Sequence, residues 1–411
     1  MGVSPAVSEE KAAETSSRPK RHSPVFLAVF AVFLITTVIC VAGTVIGVAA
    51  AHPSHHDTQW FWASGHLLVH GKNPYDRAAV RQIEKSLGLP MHGSYVPMTL
   101  NPPYTLFLMV PIGFLGPRVG MVAWSLLLLG CLLLVVRLVR GMLDARYERA
   151  LLWLAWCFAP AVCCVGVGQT GLIVLVGLVL FLRFHESAPF WAGAGLSLCA
   201  IKPHLLLPFG VVLLAWIVAR RRWTVLIGAA ALIAFEGLFA MLFDHAIWSH
   251  YRAMMRTEGF EGYFIPTLGV ALRFAIDRAA MWIEFIPAAL GCAWGIWYFV
   301  WNREQWNWRT HGSLLVLVSL VVAPYAWFTD QVIALPAIMF SLLGPEKPRW
   351  GSLTLLLAVM SAGAVEMMIA PSLYFEPFLF QAIAWLAWYL YAMTGRTPGQ
   401  GPLPSTGLAN A

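Results

Sequence analysis

Residues 24–51 read Pro-Val-Phe-Leu-Ala-Val-Phe-Ala-Val-Phe-Leu-Ile-Thr-Thr-Val-Ile-Cys-Val-Ala-Gly-Thr-Val-Ile-Gly-Val-Ala-Ala-Ala, without one charged side chain. A stretch of about 20 apolar residues spans the hydrocarbon of a bilayer as a helix. Val119–Val136 and Val225–Phe243 repeat the pattern with at most one charge, and Leu205–Ala219 is a slightly shorter version of it. Across 411 residues, 59% are hydrophobic and 11% charged. A soluble domain carries roughly 25% charged residues, so the chain lacks the polar cover of a water-facing surface. The composition therefore predicts an all-α, polytopic membrane protein. In hydrocarbon every backbone polar group must be satisfied within its own segment, which favours helices.

The N-terminal run follows Arg18, Lys20 and Arg21, as a signal peptide would. It is much longer than the usual 7–15 residue apolar core, so it reads as a retained first span. Residues 1–23 read as a disordered cytoplasmic tail, 24–394 as the transmembrane domain, and 395–411 as a second cytoplasmic tail. Further spans are expected near 118–138, 150–166, 170–183, 188–201, 204–219, 224–243, 281–300, 312–325, 331–344, 352–368 and 377–394, about twelve in all. The net charge of +7 sits in the short loops and fits the positive-inside bias, so no nucleic-acid partner is expected. The seven cysteines lie inside apolar blocks with no CxxC pair, which suits buried small hydrophobes.

Residues 52–117 form the longest outer segment near the N-terminus. Thr58–Val69 has helical spacing that would lay Trp60, Phe61, Leu67 and Leu68 on the membrane surface. Gly71-Lys72-Asn73-Pro74 ends that helix, and a second short helix is expected from Arg77 to Leu87. Pro102–Leu115 is apolar but too short to span and reads as a re-entrant or interfacial helix.

The polar residues of interest gather on the outer side. Asp57 precedes the first interfacial helix, where it can cap the N-terminus and stay ionised, as a general base must. Lys202 lies between apolar stretches and before Pro203, which should break the helix; a cation at a broken membrane helix suits an anionic phosphate. Gln169 opens one span and Asp330 another, and each can also be read as a cap. His52, His55 and His56 with Asp57 suggest a metal site, but no second ligand group follows at metal-site spacing, so none is expected. His66 and His70 are spaced i, i+4, yet Leu67 stands where a zinc protease would carry Glu. Arg252, Arg256, Glu258 and Glu261 form a charged patch on a second outer loop.

Three motifs in order carry a resemblance. The first runs from Asp57-Thr58-Gln59-Trp60-Phe61-Trp62-Ala63-Ser64-Gly65 to Gly71-Lys72-Asn73-Pro74-Tyr75-Asp76. The second is Asn101-Pro102-Pro103-Tyr104 with Val110-Pro111, and the third pairs Gly168-Gln169-Thr170 with Ile201-Lys202-Pro203. With Pro324–Pro336, these resemble the family 87 glycosyltransferases of the GT-C class, although Trp60 and Phe61 stand where that family often has Tyr. The resemblance implies a GT-C-like bundle in the plasma membrane with its active site facing outward. It implies a polyprenyl-phosphate sugar donor, usually of mannose, a lipid or glycan acceptor, membrane lipids as surroundings, and no cofactor. Asp57 would be the general base, and Lys202, then His204, would meet the donor phosphate. Gln169, Tyr75 and Asp330 complete the expected substrate-binding set. Rival readings are a flippase for a lipid-linked saccharide and a glycan polymerase or ligase.

Overall fold

The computed structural model describes residues 23–50, 57–87, 99–144, 147–257, 264–343, 349–370 and 375–394. Regular structure among them is α-helix or 3-10 helix, with no strand. Six helices are long and apolar enough to cross a membrane: Pro24–Gly47, Pro117–Arg140, Pro203–Arg220, Trp223–Met241, Met281–Gln305 and Trp350–Ile369. The expected single span at 150–166 is instead two helices, Glu148–Trp156 and Ala159–Val167, bent by 57°. Pro160 explains the break, because its ring removes an N–H and clashes with the preceding turn. The remaining expected spans correspond to five shorter apolar helices, Gly171–Phe184, Pro189–Ile201, His311–Val322, Phe328–Leu342 and Phe378–Met393. The expected count of about twelve is reached only by adding those short helices and the bent pair to the six.

The bundle is apolar on both its inside and its outside. Val25, Leu27, Ile35, Val38 and Ile46 of the first helix are exposed, as a lipid-facing surface requires. Trp124, Trp385, Trp388, Phe158, Phe181 and Phe209 are fully buried. Lipid is as apolar as such side chains, so helix association here relies on tight packing and small residues. Gly193 and Gly228 show this: a Cβ on Gly193 would overlap the Val225 carbonyl, and one on Gly228 the Phe190 carbonyl. These two glycines let the Pro189–Gly195 and Trp223–Met241 helices touch backbone to backbone.

The 57–87 segment contains the two expected helices, Thr58–Val69 and Arg77–Ser86. Gly71 turns the chain between them at φ 67°, and the Asp76 side chain caps the second by accepting from Ala78 N at 2.9 Å. One expectation fails. Phe61, Leu67 and Leu68 are buried rather than laid on the membrane, and the Phe61 ring stands 5.3 Å from that of Trp124. A neighbouring span therefore covers this face, a pairing that helical spacing alone does not reveal. The 102–115 segment also differs from the expected helix. It is a 3-10 turn, Pro103–Leu108, followed by one short α-turn, Val110–Gly113, because Pro102, Pro103 and Pro111 interrupt the backbone ladder. Residues 1–22, 395–411, His52, His55, His56, Glu258 and Glu261 lie outside the described residues. Arg252 and Arg256 are exposed on the Ile247–Thr257 helix.

Candidate active site

Four of the residues singled out in the sequence meet in one chain of hydrogen bonds. Gln169 Nε2 donates to Asp57 Oδ2. Lys202 Nζ donates to Gln169 Oε1 at 2.8 Å and to Asp330 Oδ1 at 2.6 Å. All four side chains are buried. They come from positions 57, 169, 202 and 330, so only tertiary packing brings them together.

The backbone explains how each arrives. Asp57 stands at the start of the Thr58–Val69 helix, yet its side chain makes no capping bond there. Its own N–H donates to the Val167 carbonyl at 3.2 Å, which ties it to the end of the Ala159–Val167 helix. That helix ends at Gly168, in the left-handed region at φ 80°. A Cβ at Gly168 would also overlap the Thr58 hydroxyl, so glycine is required twice over. Trp124 Nε1 donates to the Gly168 carbonyl at 2.7 Å and fixes the turn that presents Gln169. The turn is closed on its far side by Gly171, whose Cβ position lies 2.9 Å from the Thr329 carbonyl.

Lys202 interrupts the chain between two 3-10 segments, Cys199–Ile201 and Pro203–Leu206, at φ −135° and ψ 68°. The break expected from Pro203 is present, and it points a cation into the protein rather than letting it snorkel. Asp330 lies in the first turn of Phe328–Ala334. Its second oxygen accepts from Trp327 N at 3.0 Å, so the capping role and the ion pair coexist. Trp327 Nε1 donates to the Tyr325 hydroxyl at 2.7 Å, and the Tyr325 ring meets His204 edge-on at 5.1 Å. His204 therefore borders the same site, with its Nε2 buried and without a hydrogen-bond partner among the described residues.

Burial pushes the Asp57 carboxyl up to about 6, against the lowering effects of the Gln169 hydrogen bond and the Lys202 charge. A carboxylate poised there takes a proton near neutral pH more readily than an ordinary one. The Lys202 ammonium has three N–H donors. Among the described residues, Gln169 and Asp330 accept two of them, which leaves the third without an acceptor.

Tyr75, the remaining expected site residue, is not part of this network. It is buried, donates its hydroxyl to the Asn101 carbonyl at 2.8 Å and packs against Tyr251 at 5.4 Å between centroids. Sequence reasoning passed over Tyr251 and Glu236, which lie in this second cluster. Glu236 is a lone carboxyl within an apolar block, a signal that could have drawn attention to it. It missed the buried Arg273–Glu284 ion pair as well, whose partners stand on separate short segments. Among the described residues, no three His, Cys, Asp or Glu side chains converge as metal ligands would.

Comparison with known protein families gives a match to glycosyltransferase family 87 over residues 100–324. That range holds Gln169, Lys202 and His204, while Asp57 and Asp330 lie beyond it on either side. No curated protein and no solved structure matches the chain.

Proposed function

The chain belongs to glycosyltransferase family 87, and from that premise we propose that it is an inverting hexosyltransferase using a polyprenyl-phosphate donor. In this reading it moves a hexose, mannose first among them, to a lipid or glycan acceptor on the outer face of the plasma membrane. The observation that supports it is the buried chain Asp57–Gln169–Lys202–Asp330.

The chemistry needs a base on one side of the anomeric carbon and a cation at the leaving group. Asp57 removes the proton from an acceptor hydroxyl. The hydroxyl oxygen then bonds to the anomeric carbon as the bond from that carbon to the phosphate oxygen breaks, inverting the centre. The departing polyprenyl phosphate gains negative charge. The free N–H of Lys202 meets that charge in a buried setting, where fixed donors lower barriers most. Gln169 bridges base and cation and fixes their separation. Asp330 holds the ammonium in place, and His204 Nε2, buried without a partner, is a second donor to the same phosphate.

The direct test is transfer from radiolabelled polyprenyl-phosphate mannose in membranes carrying the wild type or Asp57→Asn at equal protein levels. Transfer by the wild type alone supports both the reaction and the base. Equal transfer by both removes Asp57 from the chemistry.

A further inference from the structure

We infer that a second, unassigned site beside the Lys202 backbone is a cradle for a pyranose ring, formed by Tyr75, Tyr104, Tyr251, Asn101 and Glu236. The ligand class rests on the glycosyltransferase reading above; the cradle itself rests on the following geometry.

Four separate parts of the chain build it. Tyr75 follows the Thr58–Val69 helix, Asn101 and Tyr104 stand at the 3-10 turn Pro103–Leu108, and Tyr251 lies on the Ile247–Thr257 helix. Tyr104 packs near Trp248 at 6.3 Å between centroids. A Cβ on Gly237 would sit 3.2 Å from the Trp248 ring and 4.0 Å from Tyr104 Cβ. Gly237 of the Trp223–Met241 helix thus lies against Trp248 and Tyr104, and Glu236 precedes it on the same helix. Tyr104 joins the cluster to the first site, because its hydroxyl donates to the Ala200 carbonyl at 2.7 Å, two residues before Lys202.

The hydrogen-bond inventory is incomplete in a telling way. The phenol protons of Tyr75 and Tyr104 are committed to the Asn101 and Ala200 carbonyls, so both oxygens face other groups as acceptors. Glu236 is 2% exposed inside an apolar helix and accepts from the Ser197 hydroxyl at 3.0 Å through one oxygen. The Asn101 amide nitrogen is buried and has no acceptor among the described residues. A buried donor left unpaired costs stability, so an acceptor supplied by a ligand is favoured there. Burial, then Tyr251 and Glu236, push the Tyr104 phenol up to about 12, which keeps it a neutral hydroxyl at working pH.

A sugar ring answers each of these features. Its hydroxyls donate to carboxylate and phenol oxygens and accept from an amide, and its C–H face lies against aromatic rings. Tyr104, Tyr251 and Asn101 are half-buried while Tyr75 and Glu236 are buried, so a ligand meets the cluster from the side of the first three. The ring can be that of the donor or that of the acceptor, since both are sugars in this reaction.

The test uses the full chain in lipid nanodiscs with Glu236→Gln, which is isosteric and keeps the Ser197 bond, and Tyr251→Leu. Each variant should raise the KM of one substrate by ~10-fold or more with kcat unchanged. A rise confined to the donor identifies the donor sugar, and one confined to the acceptor identifies the acceptor sugar. In parallel, saturation-transfer NMR with methyl α-mannopyranoside on Asp57→Asn protein should show contact that Tyr251→Leu abolishes. This second measurement needs no catalysis. If it succeeds while the wild type transfers nothing, the cradle stands and the proposed reaction falls. Unchanged KM values for both substrates, or a saturation-transfer signal that is absent or that persists in Tyr251→Leu, overturn the inference.

Discussion

Replacing Lys202 by Met removes the counter-charge of Asp330, whose side chain is fully buried and whose partner Nζ stands at 2.6 Å. Breaking a buried pair by deleting one member leaves an uncompensated charge and costs about 3–5 kcal/mol. In the proposed reaction the same substitution also removes the N–H that meets the leaving phosphate, worth about 10²–10³-fold in rate. It also removes a charge that holds the Asp57 carboxyl down, so the acidic limb of the pH–rate profile should move above pH 6. Lys202→Met/Asp330→Asn separates these effects, because Asp330 is no longer left as a charge without its partner. Its melting temperature in detergent, followed by tryptophan fluorescence, should recover most of what the single variant loses. Its transfer rate should not recover. The limb should move less than in the single variant, since Asp330 itself pushes the Asp57 carboxyl up. If the double variant regains wild-type transfer, Lys202 is a structural counter-ion and the leaving-group argument is wrong.

Asp57 itself should carry a stability penalty. Its folded value of about 6 lies above the ordinary 3.8, so the folded protein binds the proton more tightly, and stability falls as pH rises between those values. Asp57→Asn should therefore melt no lower than the wild type at pH 8 while losing transfer. Gln169→Leu should lower transfer by ~10-fold through loss of the bridge. It should also shift the acidic limb upward in a pH–rate series, because the hydrogen bond that holds down the carboxyl is gone. Gly168→Ala forces a side chain into the left-handed region, at about 1–2 kcal/mol, and overlaps Thr58. A melting scan should show a clear loss, with transfer reduced in the same preparation.

The spans were legible because hydropathy is a local property and the bilayer reads it locally. The break at Lys202 was legible for the same reason, since Pro203 acts on its own neighbours. The kink at Pro160 was not foreseen, because the apolar run continues through it and hides the missing N–H. The burial of Phe61 and Leu68 depended on where the Pro117–Arg140 helix comes to rest, which periodicity does not encode. Within the site, Asp57, Gln169, Lys202 and Asp330 could each be picked out as a polar residue at the end of an apolar block. Their mutual bonding could not, because each is also a credible cap or snorkelling residue when viewed alone. Tyr75 shows the converse: its place in a motif singled it out, but the fold gives it to a neighbouring cluster. Nothing in the sequence pairs Arg273 with Glu284, and only their burial and ion pair in the fold distinguish them.

The hydrogen-bonded chain has a consequence for biogenesis. Gln169 and Asp57 are 112 residues apart, and Lys202 and Asp330 are 128 apart. When Lys202 enters the membrane during synthesis, the carboxylate that will neutralise it has not yet been made. The growing protein must carry an unpaired ammonium near lipid until the Phe328–Leu342 segment arrives, a state that a membrane chaperone or protease can recognise. Assembly of the site is then also the step that ends this exposure, because a chain that stops before residue 330 lacks the counter-charge of its own lysine.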